Sequence, residues 1–316
     1  RTFVLGFNDN NNIDTVLELL QKADDLFDTK VGLDRIKFDL IQNVAFSQKG
    51  ILCIEEGDFN NAKVYVENIL ASENKIPDDV GDHFLSDIGL FLAICHINRH
   101  FMNLNEDISS IASVYFHECL KSDEKYFQDG GNLGLGLLNF ENEKVALNYF
   151  SKISKSNKEI NDLRIFFKVI IKLRSKPKEA IKELLSLNRE VIPKVVVDLF
   201  LGAMYFEDNK DEKGTEILNS LSRSDFSKAL KPLLPLYDFF CCIYLKQDDA
   251  LEHLKVWTQK YPDSPQYRAL YGNGLWEHDY HIEAKFQLER AWELEKNIFT
   301  LIPLLKIYTY LGEYKE

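Results

Sequence analysis

Leu133-Gly134-Leu135-Gly136-Leu137-Leu138-Asn139-Phe140-Glu141-Asn142-Glu143-Lys144-Val145-Ala146 decides the fold. An apolar run breaks at the polar stretch 139–142 and resumes as a second apolar pattern with a small residue, Ala146, in its first turns. That is the signature of two helices joined by a tight turn. The same grammar runs outward in both directions. Helical spacing recurs in Val16, Leu17, Leu19, Leu20, Ala23, Leu26 and Phe27, and in Ile181, Leu184 and Leu185 after Ala180. Breaks rich in Gly, Asp, Asn and Lys recur at 56–58, 174–177 and 207–210, and no strand alternation persists. The chain reads as all-α.

Aligning the small residue of each second helix gives Ala62, Ala112, Ala146, Ala180, Gly214, Ala250 and Ala284, at intervals of 50, 34, 34, 34, 36 and 34. A period of 34 means stacked helix-turn-helix units, each unable to bury its apolar face alone. A small residue is needed where two helix axes approach to about 8–10 Å, because a larger side chain has no room at the crossing.

These residues resemble the tetratricopeptide-repeat family. Gly50, Gly57 and Phe59 surround the Ala62 unit; Leu133, Gly134 and Phe150 surround Ala146; Leu201, Gly202 and Tyr205 precede Gly214. Pro262 closes the Ala250 unit, Gly272 and Ala291 flank Ala284, and Leu304, Tyr308, Gly312 and Tyr314 begin another. No unit matches at every position. The resemblance implies an α-α superhelix, a tetratricopeptide-like solenoid of about seven helical hairpins over residues 34–316, preceded by an N-terminal capping-helix region at 1–33. Asn8 to Asn12 offer that helix capping oxygens. The interval of 50 puts a long connection at 72–82. There the solenoid bends, or residues 83–121 form an ordinary hairpin between two repeat blocks, since Arg99 and His100 stand where Leu-Gly is expected. The opening Arg1 and the truncated last repeat lead us to expect a fragment of a longer protein.

Lys and Arg total 38 against 50 Asp and Glu, a net charge of −12. Such a chain opposes its own approach to a polyanion, so nucleic acid and anionic membranes are not expected as partners. The longest apolar run, 88–97, is too short to span a bilayer. Five cysteines, at 53, 95, 119, 241 and 242, show no C-x-x-C spacing and read as buried thiols of a reducing compartment. Cytoplasm is favoured on that ground, with periplasm left open.

No residue pattern carries catalysis. G-x-S-x-G, H-E-x-x-H and G-K-[ST] are all missing. The glycines at 130–136 sit inside a first helix, where a nucleotide fingerprint needs a strand-to-helix turn. Cys95, His96, His100, His117 and Cys119 allow a metal site to be drawn, but free His and Cys are ordinary in helical cores and the spacing fits no zinc motif. His278 and His281 read as exposed loop residues. We therefore expect no enzyme, no cofactor and no metal.

The resemblance implies a concave groove lined by the first helix of each hairpin. Its register assigns the partner-binding residues Asn139, Phe206, Phe239, Tyr244, Asn273 and Trp276. The basic set with which relatives clamp acidic chaperone tails is missing. Aromatic side chains suit instead an apolar or amphipathic segment of a protein or peptide partner, although the same side chains also serve packing between repeats. The expected function is a non-catalytic protein-interaction scaffold. The alternatives are a sensor or regulatory part of a larger enzyme or regulator and, on the turn Lys260-Tyr261-Pro262-Asp263-Ser264-Pro265, a bacterial envelope assembly factor. Homo-oligomerisation stays open.

Overall fold

The computed structural model describes residues 10–24, 33–72, 76, 80–104, 108–140, 142–171, 176–296 and 298–312. All regular structure among them is helical. The chain forms two compact units, Arg1–Ile171 and Lys172–Glu316.

The first unit contains α1 (Asn10–Asp24), α2 (Leu33–Glu55), α3 (Phe59–Ala71), α4 (Asp82–Ile97), the single turn α5 (Arg99–Met102), α6 (Ile108–Cys119), α7 (Lys125–Leu138), α8 (Glu143–Lys152) and α9 (Lys158–Ile171). Antiparallel pairs α2/α3, α4/α6 and α7/α8 are its hairpins, and the first helices pack on one another in the order α2, α4, α7, α9. Phe91, Tyr115 and Phe150 are fully buried between these pairs; each such side chain contributes about 1.5–3 kcal/mol. α1 packs on α2 and is tied to it by Lys49 and Asp14, 2.8 Å apart. Its proposed capping oxygens lie outside the described side chains. So does most of the connection 72–82. The pair α4/α6 packs between α2/α3 and α7/α8, and α5 occupies part of the extra length.

The second unit contains α10 (Pro177–Leu185), α11 (Lys194–Glu207), α12 (Asp211–Ser220), two 3-10 turns (Arg223–Asp225 and Lys228–Leu233), α13 (Leu234–Leu245), α14 (Asp248–Lys260), α15 (Pro265–Glu277), α16 (His281–Leu294) and α17 (Ile298–Leu311). Its hairpins are α11/α12, α13/α14 and α15/α16; first helices again adjoin, α11 to α13, α13 to α15 and α15 to α17.

The small residues fall in α3, α6, α8, α10, α12, α14 and α16, and the six alanines among them are at most 4% exposed. The reason is visible at the crossings. A Cβ on Gly272 would lie 2.8 Å from Leu288 Cγ and 3.3 Å from the carbonyl of Ala284, and one on Gly202 would lie 2.6 Å from Leu218 Cδ2. In the Ala146 hairpin the partner of Phe150 is Gly136, while Gly134 faces Phe116 of the preceding hairpin.

Three of the hairpin turns share one device. Gly57, Asn209 and Asp279 all have φ between 56° and 73°, and each is followed by a residue whose amide reaches back to a helix carbonyl: Asp58 to Cys53, Lys210 to Tyr205 and Tyr280 to Leu275, at 2.7–2.9 Å. This left-handed cap satisfies carbonyls that the helix end leaves open. Only Gly57 adopts it without strain. Asp279→Gly is therefore expected to raise stability by about 0.5–1 kcal/mol; a urea midpoint at or below that of wild type would contradict this account of the turn.

Candidate functional site

The expected groove residues separate between the units, Asn139 in the first and the other five in the second. Asn139 ends α7, and its side-chain amide donates to the Leu135 carbonyl at 2.8 Å. Asn273 does the same in α15, donating to Ala269 at 2.8 Å. Both amides thus have a local task on their own helix.

The aromatic residues gather on the first helices of the second unit. Phe206, in the last turn of α11, stacks on Tyr244, in the last turn of α13, with centroids 4.6 Å apart and planes 5° from parallel. The Tyr244 hydroxyl donates to Glu207 Oε1 at 2.8 Å. Phe239, half-buried, leans on Phe240 at 5.9 Å. Trp276, in the last turn of α15, meets Tyr310 of α17 edge-on at 5.3 Å, and the ring of His281 at 4.6 Å. Phe206 and Trp276 each stand eight residues before a small residue, so both arrive at the turn end of a first helix. Acidic side chains border these rings, with Glu207 beside Tyr244 and Glu277 paired to Lys246 at 2.8 Å. Aromatic rings held by neighbouring rings, with one face left open, can grip an apolar side chain at little entropic cost.

Two residues of this cluster escaped the sequence reading. Tyr310 becomes a partner of Trp276 only through the packing of α15 on α17. His281, expected in an exposed loop, has a side chain only 20% exposed, with its ring 4.5 Å from Tyr310. His278 is likewise turned inward, at 10%, and contacts the Cys242 carbonyl at 3.3 Å. The helical turn that carries them closes back onto α13 and α17, which a loop reading does not capture.

A second polar centre underlies the site. Asp238 of α13, 1% exposed, is ion-paired with Arg223, accepts the Trp257 indole N–H at 2.9 Å, and has His253 Nδ1 at 3.5 Å. Tyr237 donates to the Leu221 carbonyl at 2.9 Å. Together these bonds pin the 3-10 segment to α13 and α14 and so fix the row that presents Phe239 and Tyr244.

All five cysteines are buried and unpaired. Burial pushes the Cys119 and Cys242 thiols up to about 12 and Cys241 up to about 11, so none of these three is a thiolate at neutral pH. His117 is exposed and bonded to the Ser113 carbonyl at 2.7 Å, whereas Cys119 points into the core. They do not converge, and the His100 side chain lies outside the described residues. Among the described residues no group of three or more His, Cys, Asp or Glu is placed to hold a metal, and no helix is long and apolar enough to cross a membrane. The glycines at 130–136 lie within α7, a helix.

No family model matches the chain, and no curated protein matches it in sequence. In structure it is similar to the human IFIT1 dimer with m7Gppp-AAAA, with a TM-score of 0.51 and 15% identity over 99% of this chain and 72% of that one. At that identity the likeness carries the fold alone. The fold is a tetratricopeptide-like array of helical hairpins.

Proposed function

We propose that the chain is a non-catalytic repeat scaffold of the tetratricopeptide type, and that the first helices of its second unit take an apolar or amphipathic segment of a protein partner. The observation that supports this reading is the aromatic series Phe206–Tyr244, Phe239 and Trp276–Tyr310, set on adjoining first helices and half-exposed. Rings of this kind serve as anchors worth about 2 kcal/mol or more each when covered by a partner. Asn273, on α15 of the same unit, contributes its amide oxygen, the amide nitrogen being engaged with the Ala269 carbonyl. The protein itself supplies the binding face and no chemistry.

The structurally similar human protein is solved with m7Gppp-AAAA, a capped oligonucleotide. The net charge of −12 weighs against a polyanion here, and a peptide is the better match. Selection of helical peptides from a library, with m7Gppp-AAAA as a parallel probe, tests this. Peptides with apolar residues at helical spacing are expected to bind, and a folded Phe239→Ala/Trp276→Ala variant is expected to bind them at least thirty-fold more weakly. Undiminished peptide binding by that variant refutes the site, and tight uptake of m7Gppp-AAAA in place of any peptide refutes the partner class.

A further inference from the structure

Gln48 of α2 is 4% exposed, and its Nε2 donates to Asp87 Oδ2 of α4 at 3.2 Å. The other end of the amide, Oε1, is buried and has no hydrogen-bond partner. Buried carbonyl oxygens are seldom left this way, because their lost hydration has to be replaced by a donor. No ligand or partner side chain reaches an atom without exposed surface. The amide cannot turn around, since that would aim its oxygen at a carboxylate. The group already facing it is Asp87, which has no hydrogen to give while ionised and one to give once protonated.

We propose that Asp87 and Gln48 form a proton-operated clasp between α2 and α4, in which a proton on Asp87 becomes the donor that Gln48 Oε1 lacks and closes a two-bond acid–amide pair. The proton comes from solvent and sits on the carboxyl oxygen opposite Oδ2, so Gln48 keeps donating while it begins to accept. Electrostatics agree. Burial pushes the Asp87 carboxyl up to about 6, against the opposing pull of the Gln48 N–H and of His83 on the same helix. A carboxyl raised above its unfolded value of roughly 4 holds its proton more tightly in the folded chain, so stability is gained as pH falls through the window from 6 to 4. From α7, Tyr126 feels the Asp87 charge and stays neutral in that window. On α2 the neighbouring ammonium, Lys49, is engaged with Asp14. Among the described residues, α3, α5 and α6 bring no charge that acts on Asp87. Because α2 and α4 are both first helices, acid tightens the row that they begin.

The test is a carbon NMR titration of the full chain, following Asp87 Cγ and Gln48 Cδ, together with thermal melts from pH 7 to pH 5. Both carbons are expected to move with one midpoint near 6. The wild-type melting temperature is expected to rise by several degrees on acidification relative to Asp87→Asn, whose amide supplies the donor at every pH. An Asp87 midpoint near 4 overturns the proposal, and so does a Gln48 Cδ that stays flat while Asp87 titrates. Should the variant fail to fold, the two wild-type titration curves decide alone.

Discussion

Asp238→Ala is expected to destabilise the second unit by about 3 kcal/mol, the largest single effect predicted for this chain. The carboxylate is buried to 1% exposure and is the acceptor for the Trp257 indole N–H at 2.9 Å. Removing it leaves that N–H enclosed without a partner, a loss of about 1–3 kcal/mol. The Arg223 guanidinium also loses its counter-ion, but at 37% exposure it relaxes into water, so its share is the smaller one. The void left by the side chain adds the remainder. Asp238→Asn keeps an oxygen for Trp257 and is expected to cost about half as much. Urea unfolding followed by tryptophan emission checks both variants, since Trp257 reports directly on the bond in question. Equal midpoints for wild type and Asp238→Ala would show that the network holds nothing in place.

Gly214→Val is expected to cost about 2–3 kcal/mol and to disorder the aromatic site as well. A Cβ at Gly214 would lie 3.0 Å from the carbonyl oxygen of Gly202, a backbone atom that cannot step aside, and 2.5 Å from Phe206 Cδ2. Overfilling a tight helix crossing costs about 1–3 kcal/mol. The ring that would have to yield is the one stacked on Tyr244. The variant should therefore melt several degrees lower and lose near-ultraviolet circular dichroism from the Phe206–Tyr244 pair, and its peptide binding should fall even below its melting transition. A variant with wild-type melting and an intact aromatic signal would mean that α11 and α12 cross elsewhere, and the repeat register with it would be wrong.

That register is the part of the molecule most legible in the sequence. Ala62, Ala112, Ala146, Ala180, Gly214, Ala250 and Ala284 mark the second helices because close approach tolerates no larger side chain, and every one of them is buried in such a helix. Of the glycines twelve residues earlier, Gly272 approaches the carbonyl of Ala284 and Gly202 sets its own carbonyl against Gly214, whereas Gly50 and Gly134 make room for Phe91 and Phe116. Turn chemistry was nearly as plain, since Gly57 and Asn209 announce left-handed caps. Lys246, with φ 54°, carries no such announcement, although it ends α13 in the same left-handed conformation.

The candidate site was legible only in part. Aromatic residues on first helices could be placed from the period, yet which ring touches which could not. Phe206 and Tyr244 are 38 residues apart in sequence, and Trp276 and Tyr310 are 34 apart; their contacts depend on the rotation of each hairpin against the next, to which the period is blind. Asp238 illustrates the same limit. It is the one charged residue in the apolar run from Leu233 to Leu245, which points to burial, but its partners Arg223 and Trp257 are set by α13 turning that face toward α14 and the 3-10 segment.

The sequence by itself determined an all-helical chain of hairpins, their spacing, and the close crossings that hold them, because those properties are local and recur at each unit. Only the tertiary structure decided the Asp238 network, the aromatic pairs and the Asp87–Gln48 contact. Each joins side chains from different helices, and such pairs form through the angle at which whole helices pack, which no residue encodes alone.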